Sequence, residues 1–316
     1  MKLDPDAQAL LDVAIKAGRP AVETLTPVAA RKMMRDIRAA LKQPQPAVAE
    51  ARDISIPGPH GAVPARLYRA QMPKVGEAQP ALVYFHGGGW VFGDLETHDN
   101  LCRSLANVGN CTVISADYRL APEHKFPKAV DDCWAAVKWT ADNAAALSID
   151  RNRIAVGGDS AGGNLAAVVS LLAAQEGGPR LTYQVLFYPV ADLSLSHDSF
   201  KRAGTGFNLT LAAMAWFRDL YLSDQKKEVD DWRASPLRAQ DLKGVPPAYV
   251  TTAGCDPLCD EGEAYAKLLE QNGIPVKYRH FPGQMHGFAG MSGFVHAADK
   301  ALADVGAELR RVWKTA

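Results

Sequence analysis

The stretch that decides the fold is Ile154-Ala155-Val156-Gly157-Gly158-Asp159-Ser160-Ala161-Gly162, a short apolar run ending in a glycine-flanked serine. Beyond it a small-residue helical pattern continues through Leu165, Val168 and Leu171. A serine between a buried strand and a helix must occupy a tight turn. Glycines two residues to either side let the backbone crowd there, and the turn pushes the hydroxyl out to where a substrate can reach it. Gly-x-Ser-x-Gly occurs by chance in many chains, so the reading depends on whether the other parts of a nucleophile site accompany it.

A serine hydroxyl is a poor nucleophile until a base takes its proton, and a third group must fix the tautomer of that base. After an elbow of this kind the expected chain order is acid, then histidine. The strand-like run Ala248-Tyr249-Val250-Thr251-Thr252 ends in Ala253-Gly254-Cys255-Asp256-Pro257, which places Asp256 just past a strand. The next run, Val276 to Phe281, is followed by a loop holding His286 between Met285 and Gly287. In a parallel sheet, ligand chemistry collects at the edge where strands end. Upstream, the buried run Ala81 to Phe85 leads into His86-Gly87-Gly88-Gly89-Trp90. Successive glycines there can turn backbone N–H groups toward a developing oxyanion, and the N–H of Ala161 completes the set. His280 competes with His286 as base, but its place within the strand favours a structural role. His86, at the head of the glycine loop, reads as an anchor of loop geometry, and Asp159 and Asp260 as local hydrogen-bonding groups at turns and helix starts.

With these parts in view, HGGGW, YRLAPEHKFP (Tyr118 to Pro127), GDSAGGN (Gly158 to Asn164), DPLCD (Asp256 to Asp260) and MHGF (Met285 to Phe288) resemble the hormone-sensitive-lipase family of esterases, in the bacterial and archaeal branch with GDSAG at the elbow. The resemblance implies an α/β-hydrolase fold: a mostly parallel central sheet of about eight strands, flanked by helices and covered by a helical cap. It implies a carboxylesterase for short- to medium-chain acyl esters, with no metal or organic cofactor. Ser160, Asp256 and His286 carry over as the triad, and the N–H groups of Gly88, Gly89 and Ala161 as the oxyanion hole. Cys259 departs from the pattern, since relatives often carry Arg there, which affects a surface interaction near the acid rather than the triad.

Composition narrows the class further. The chain has 316 residues, 47% hydrophobic and 22% charged, which suits one large α/β domain with an accessory piece. Thirty-five basic residues balance 35 acidic ones, so no nucleic-acid or anionic-membrane partner is indicated. No run reaches the roughly 20 apolar residues of a membrane span. The N-terminus lacks the apolar stretch of a signal peptide. Cysteines 102, 111, 133, 255 and 259 are scattered, which fits free thiols in the cytoplasm. The expected partner is a small-molecule ester, with a homodimer left open.

Strand-like and helical segments alternate from residue 81 onward, which argues for a mostly parallel sheet with helices on both faces. Residues 7–42 show helical spacing, and Ile54 to Ile56 and Ala65 to Tyr68 suggest two further strands. The interval between the runs at 184–188 and 247–252 is too long for a simple crossover. It holds a cap signal at Asn208-Leu209-Thr210 and an aromatic-rich helix through Met214, Trp216, Phe217 and Tyr221. Residues 51–190 and 246–316 are therefore expected to form the catalytic core, and 1–50 with 191–245 the cap. Met214 and Phe217 are the expected substrate-binding side chains. A small-molecule receptor on the same fold is the rival reading, but it would be expected to have lost part of the triad; an amidase or deacetylase is the runner-up among enzymes.

Overall fold

The buried apolar runs become the strands of one eight-stranded sheet in the computed structural model, which describes residues 1–315. The strands are β1 (Glu50–Ile56), β2 (Val63–Arg69), β3 (Gln79–Phe85), β4 (Thr112–Ala116), β5 (Ile149–Asp159), β6 (Leu181–Phe187), β7 (Ala248–Cys255) and β8 (Val276–Met285). Their spatial order is β1-β2-β4-β3-β5-β6-β7-β8. β2 runs antiparallel to both β1 and β4, and every other pairing is parallel. β3 and β4 are buried along their whole length, as continuous apolar runs covered on both faces should be.

Helices connect and cover these strands. They are α1 (Pro5–Lys16), α2 (Pro27–Leu41), α3 (Asp99–Gly109), α4 (Lys128–Asp142), α5 (Ala161–Gln175), α6 (Asp198–Ala203), α7 (Leu211–Tyr221), α8 (Gln225–Glu228), α9 (Cys259–Gln271) and α10 (His296–Trp313). The period-two geometry of the strands divides the core. Val83 and Phe85 of β3 join the cluster packed with α4, α5 and α9. Leu82 and Tyr84 point the other way, into the cluster formed with α3 and α10. α5 is buried from Ala161 to Ala173 because it has the sheet on one side and the chain after β6 on the other. The Asn164 amide ties that packing by donating to the carbonyls of Val190, at 3.0 Å, and Ala234, at 2.9 Å.

The helical spacing over 7–42 resolves into two helices because Gly18 and Pro20 interrupt it. The Thr26 hydroxyl caps α2 by accepting from the Ala29 N–H, and Pro27 occupies the first turn where its missing donor costs nothing. Ala7 and Leu11 of α1, with Leu3 just before it, pack against Cys255 and Met285 at the ends of β7 and β8. α2 is fastened by Arg31, which pairs with Glu123 at 2.6 Å and donates to the carbonyls of Val91 and Ala121. Both N-terminal helices thus lie at the sheet edge that holds the serine elbow. α7 meets the same region, with Tyr221 stacked on Trp90 at 4.3 Å between ring centres. No helix among the described residues is long and apolar enough to cross a membrane.

Candidate active site

β5 ends at Asp159 and α5 begins at Ala161, so Ser160 alone makes the turn, with φ 58° and ψ −119°. That backbone region costs an ordinary residue roughly 1–3 kcal/mol, and the surroundings hold it in place. The Ser160 N–H donates to the Phe187 carbonyl at 2.9 Å, and its own carbonyl accepts from Val190 at 3.2 Å and Asn164 at 3.0 Å. Gly162 has no room for a side chain, because a Cβ there would overlap the Phe85 carbonyl of the adjacent strand. Strand, serine and helix are therefore packed too closely to relax.

The three groups expected to cooperate converge at this turn. His286 follows the last residue of β8, a strand that runs on to Met285 rather than stopping near Phe281. Its Nε2 lies 2.8 Å from Ser160 Oγ, and its Nδ1 lies 2.7 Å from Asp256 Oδ2. Asp256 is fully buried just past β7, and its second oxygen accepts from the Leu258 N–H at 2.9 Å. The carboxylate is thus fixed at both oxygens, and the imidazole faces an acceptor on one side and a hydroxyl on the other. Tyr188 packs against the imidazole at 4.8 Å between ring centres, and Asn208 donates to the His286 carbonyl at 3.0 Å. Such an array can deprotonate a serine hydroxyl and return the proton to a leaving group.

The glycine loop is joined to the elbow through Asp159. That carboxylate accepts from the Tyr84 hydroxyl at 2.8 Å and the Gly87 N–H at 3.0 Å, both at Oδ1. His98 Nε2 lies 3.3 Å from Oδ1 and 3.4 Å from Oδ2. Burial pushes the Asp159 pKa up, but His98 and the Tyr84 hydrogen bond outweigh it and bring the carboxyl down to about 2. Beyond Gly87 the chain passes through positive φ at Gly88 (123°) and Gly89 (59°). Among the described residues the N–H groups of Gly88, Gly89 and Ala161 donate to no protein acceptor. Three free donors beside the Ser160 hydroxyl are an arrangement able to receive an oxyanion.

These groups open into a cavity of about 420 Å³. Met214 and Phe217 of α7 line it together with Val190, Leu209 and Ala213; Met33, Met34 and Ile37 of α2 line it as well. The Phe217 ring occupies the space that a side chain on Gly89 would need. The two expected substrate-contact residues are therefore also core residues, both almost fully buried. Phe217 in particular is a wall of the glycine loop.

His280 stands apart from this site, with its Nδ1 3.0 Å from the Thr252 hydroxyl. His86 is buried and stacked on Tyr118 at 4.3 Å, its Nδ1 2.9 Å from the Gly87 carbonyl, and it lies under the glycine loop. Asp260 accepts from the Ser199 N–H at 2.8 Å and pairs with Arg202 of α6 at 2.6 Å. That cation comes from a different helix than the arginine often found at position 259 in the resembling family. Cys259 itself is buried. Sequence reasoning missed the joining role of Asp159 and the partners Tyr84 and His98, and, although it assigned residues 1–50 to the cap, it did not name the α2 side chains that line the cavity. The apolar spacing of Met33, Met34 and Ile37 was a usable signal for the last. The others depend on contacts between residues far apart in the chain.

Comparison with known proteins points to the same fold. A family model described as alpha/beta hydrolase fold matches residues 82–290. The chain is similar to carboxylic ester hydrolase LipN of Mycobacterium tuberculosis, 45% identical over 294 residues covering 90% of this chain and 77% of LipN. It is 39% identical to an ethyl acetate hydrolase of Pseudomonas putida, with 96% of each chain covered. Among solved structures, the hyperthermophilic esterase of Pyrobaculum calidifontis superposes with a TM-score of 0.94 at 39% identity, covering 99% of both chains.

Proposed function

The chain belongs to the alpha/beta hydrolase fold family and is a carboxylic ester hydrolase; we propose that it cleaves short- to medium-chain acyl esters with Ser160 as nucleophile, His286 as base and Asp256 as the group that orients it. The observation that carries this reading is the unbroken relay from Asp256 Oδ2 to His286 Nδ1 (2.7 Å) and from His286 Nε2 to Ser160 Oγ (2.8 Å). In this scheme Ser160 Oγ attacks the ester carbonyl carbon as its proton passes to His286 Nε2. The oxyanion is received by the N–H groups of Gly88, Gly89 and Ala161. Collapse breaks the C–O bond, the imidazolium protonates the departing alcohol, and an acyl-enzyme remains. Water, deprotonated by the same imidazole, then attacks the acyl carbon; the bond to Ser160 Oγ breaks, Oγ takes the proton back from the imidazolium, and the carboxylic acid leaves. The absence of competing acceptors for those three N–H groups supports their role, because preorganised donors need not reorganise during reaction.

The acyl preference rests on the size and walls of the cavity. At about 420 Å³ it lies toward the small end of the roughly 300–1,000 Å³ common for ligand sites. Residues 1–50 and 191–245 act as the cap in this reading, since α1, α2 and α7 supply much of the wall over Ser160. The motif set supports the hormone-sensitive-lipase branch of the family. Five unpaired, buried cysteines support a reducing compartment such as the cytoplasm.

The test is turnover of p-nitrophenyl esters from acetate to palmitate, alongside matched anilides, with mass spectrometry after treatment with an organophosphate. The expected outcome is ester hydrolysis far above anilide hydrolysis and one phosphoryl adduct, on the peptide containing Ser160. An adduct on any other residue, or an equal rate on amides, would overturn the assignment.

A further inference from the structure

Arg38 lies in the last turn of α2 and lines the cavity that holds Ser160 and His286. Its guanidinium packs on Gly290, and among the described residues its one protein hydrogen bond is a long one, from Nη1 to the Gly290 carbonyl at 3.3 Å. Among the described residues no carboxylate lies within 4 Å of it. A guanidinium carries five N–H donors in a planar fork, so most of the donors of Arg38 are uncommitted. Arg38 also lines a polar chamber of about 10 Å³, room for one water, together with His98, Asp159, Tyr188 and Gly290. The buried carboxylate of that chamber, Asp159, is already engaged by Tyr84, Gly87 and His98. A cation at a helix C-terminus is favoured by the helix dipole alone, yet that does not require it to line the cavity of Ser160 and His286, whose wall also carries the charged side chains Arg19 and Glu23.

Resting on the reading of this site as an esterase, we propose that Arg38 binds a carboxylate on the substrate, so that the enzyme takes esters carrying an anionic group within reach of the scissile bond. The planar fork matches a carboxylate in two parallel hydrogen bonds, and the partly closed cavity weakens solvent screening. The anion could sit on the acid side, as in a monoester of a dicarboxylic acid, or on the alcohol side, as in an acylated hydroxy acid. Both present the same chemistry to Arg38.

The experiment measures kcat/KM at pH near 7.5, where carboxylates are ionised, for two pairs of esters that differ only by carboxylate against neutral amide. Phenyl succinate with phenyl succinamate reports the acid side. 4-Acetoxybutanoate with 4-acetoxybutanamide reports the alcohol side. The quantity read is the anionic-to-neutral ratio within each pair, for the wild type, Arg38→Gln and Arg38→Lys. A charge-assisted contact predicts that Arg38→Gln lowers the ratio about 10- to 100-fold in one pair, identifying the side, with Arg38→Lys in between. Binding of succinate to the Ser160→Ala protein, measured by calorimetry, should weaken with Arg38→Gln in parallel. If Arg38→Gln lowers both members of each pair alike, the residue is structural and the proposal is overturned. A wild-type ratio far below one that Arg38→Gln leaves unchanged overturns it too. Failure of all four esters, with succinate still bound through Arg38, would count against the esterase reading and not against the anion site.

Discussion

Replacing Asp159 by Asn tests whether the elbow and the glycine loop are one mechanical unit. The side chain keeps its shape, and its Oδ1 can still accept from Tyr84 and Gly87. What disappears is the charge, and an amide N–H₂ replaces one of the two oxygens beside His98 Nε2. The carboxyl is held near pKa 2 in the folded state, below its ordinary 3.8. A depressed carboxylate contributes stability above its unfolded pKa and loses it as pH falls through the folded value. Here that contribution is about 2 kcal/mol above pH 5 and falls to roughly half by pH 3. Weakening two charge-assisted hydrogen bonds into neutral ones acts in the same direction. The same loosening lets Gly87 move, and Gly88 and Gly89 with it. Loss of one oxyanion donor costs about 10²–10³ in kcat, so partial misplacement should cost about 10- to 100-fold. The assays are urea denaturation between pH 7.5 and pH 3.5, and steady-state hydrolysis of a butanoate ester. The expected result is a variant less stable by about 2–3 kcal/mol at neutral pH, with the gap narrowing in acid, and a lowered kcat with little change in KM. A variant of unchanged stability and unchanged kcat would refute the coupling.

Further outcomes follow from the same contacts. Ser160→Ala and His286→Ala should each lower kcat by about 10⁴–10⁶ and the double variant hardly more, whereas His280→Ala should leave kcat near that of the wild type; the reverse pattern for the two histidines would move the base. Met214→Ala should shift the best acyl chain toward longer esters on a p-nitrophenyl series, since each methylene is worth about 0.8 kcal/mol while room lasts; Phe217→Ala should instead reduce kcat on every ester, because its ring also supports Gly89. Iodoacetamide should modify the native protein slowly and leave activity intact, since all five cysteines are buried and burial holds Cys102 and Cys111 near pKa 12; rapid inactivation with alkylation of Cys255 or Cys259 would contradict this. Asn164→Ala should cost roughly 2–3 kcal/mol in denaturant unfolding, because the Val190 and Ala234 carbonyls would lose a buried donor.

The amino-acid sequence by itself determined the local grammar of this protein. The apolar runs at Ala81 to Phe85 and Ile154 to Val156 read as buried strands. The glycines around Ser160 required a tight turn, and Asp256 and His286 stood where loops leave strands. Those readings needed nothing beyond periodicity and backbone sterics, which act over a few residues. Tertiary structure alone decided that β4 lies between β2 and β3, that Asp159 reaches back to Gly87, and that Phe217 shields Gly89. It alone brought Arg38 to the cavity of a serine more than a hundred positions away. Side-chain period reports which face of an element is buried but not what covers it. The neighbour is selected by packing the whole set of elements at once, and such choices leave no mark in a local window of sequence.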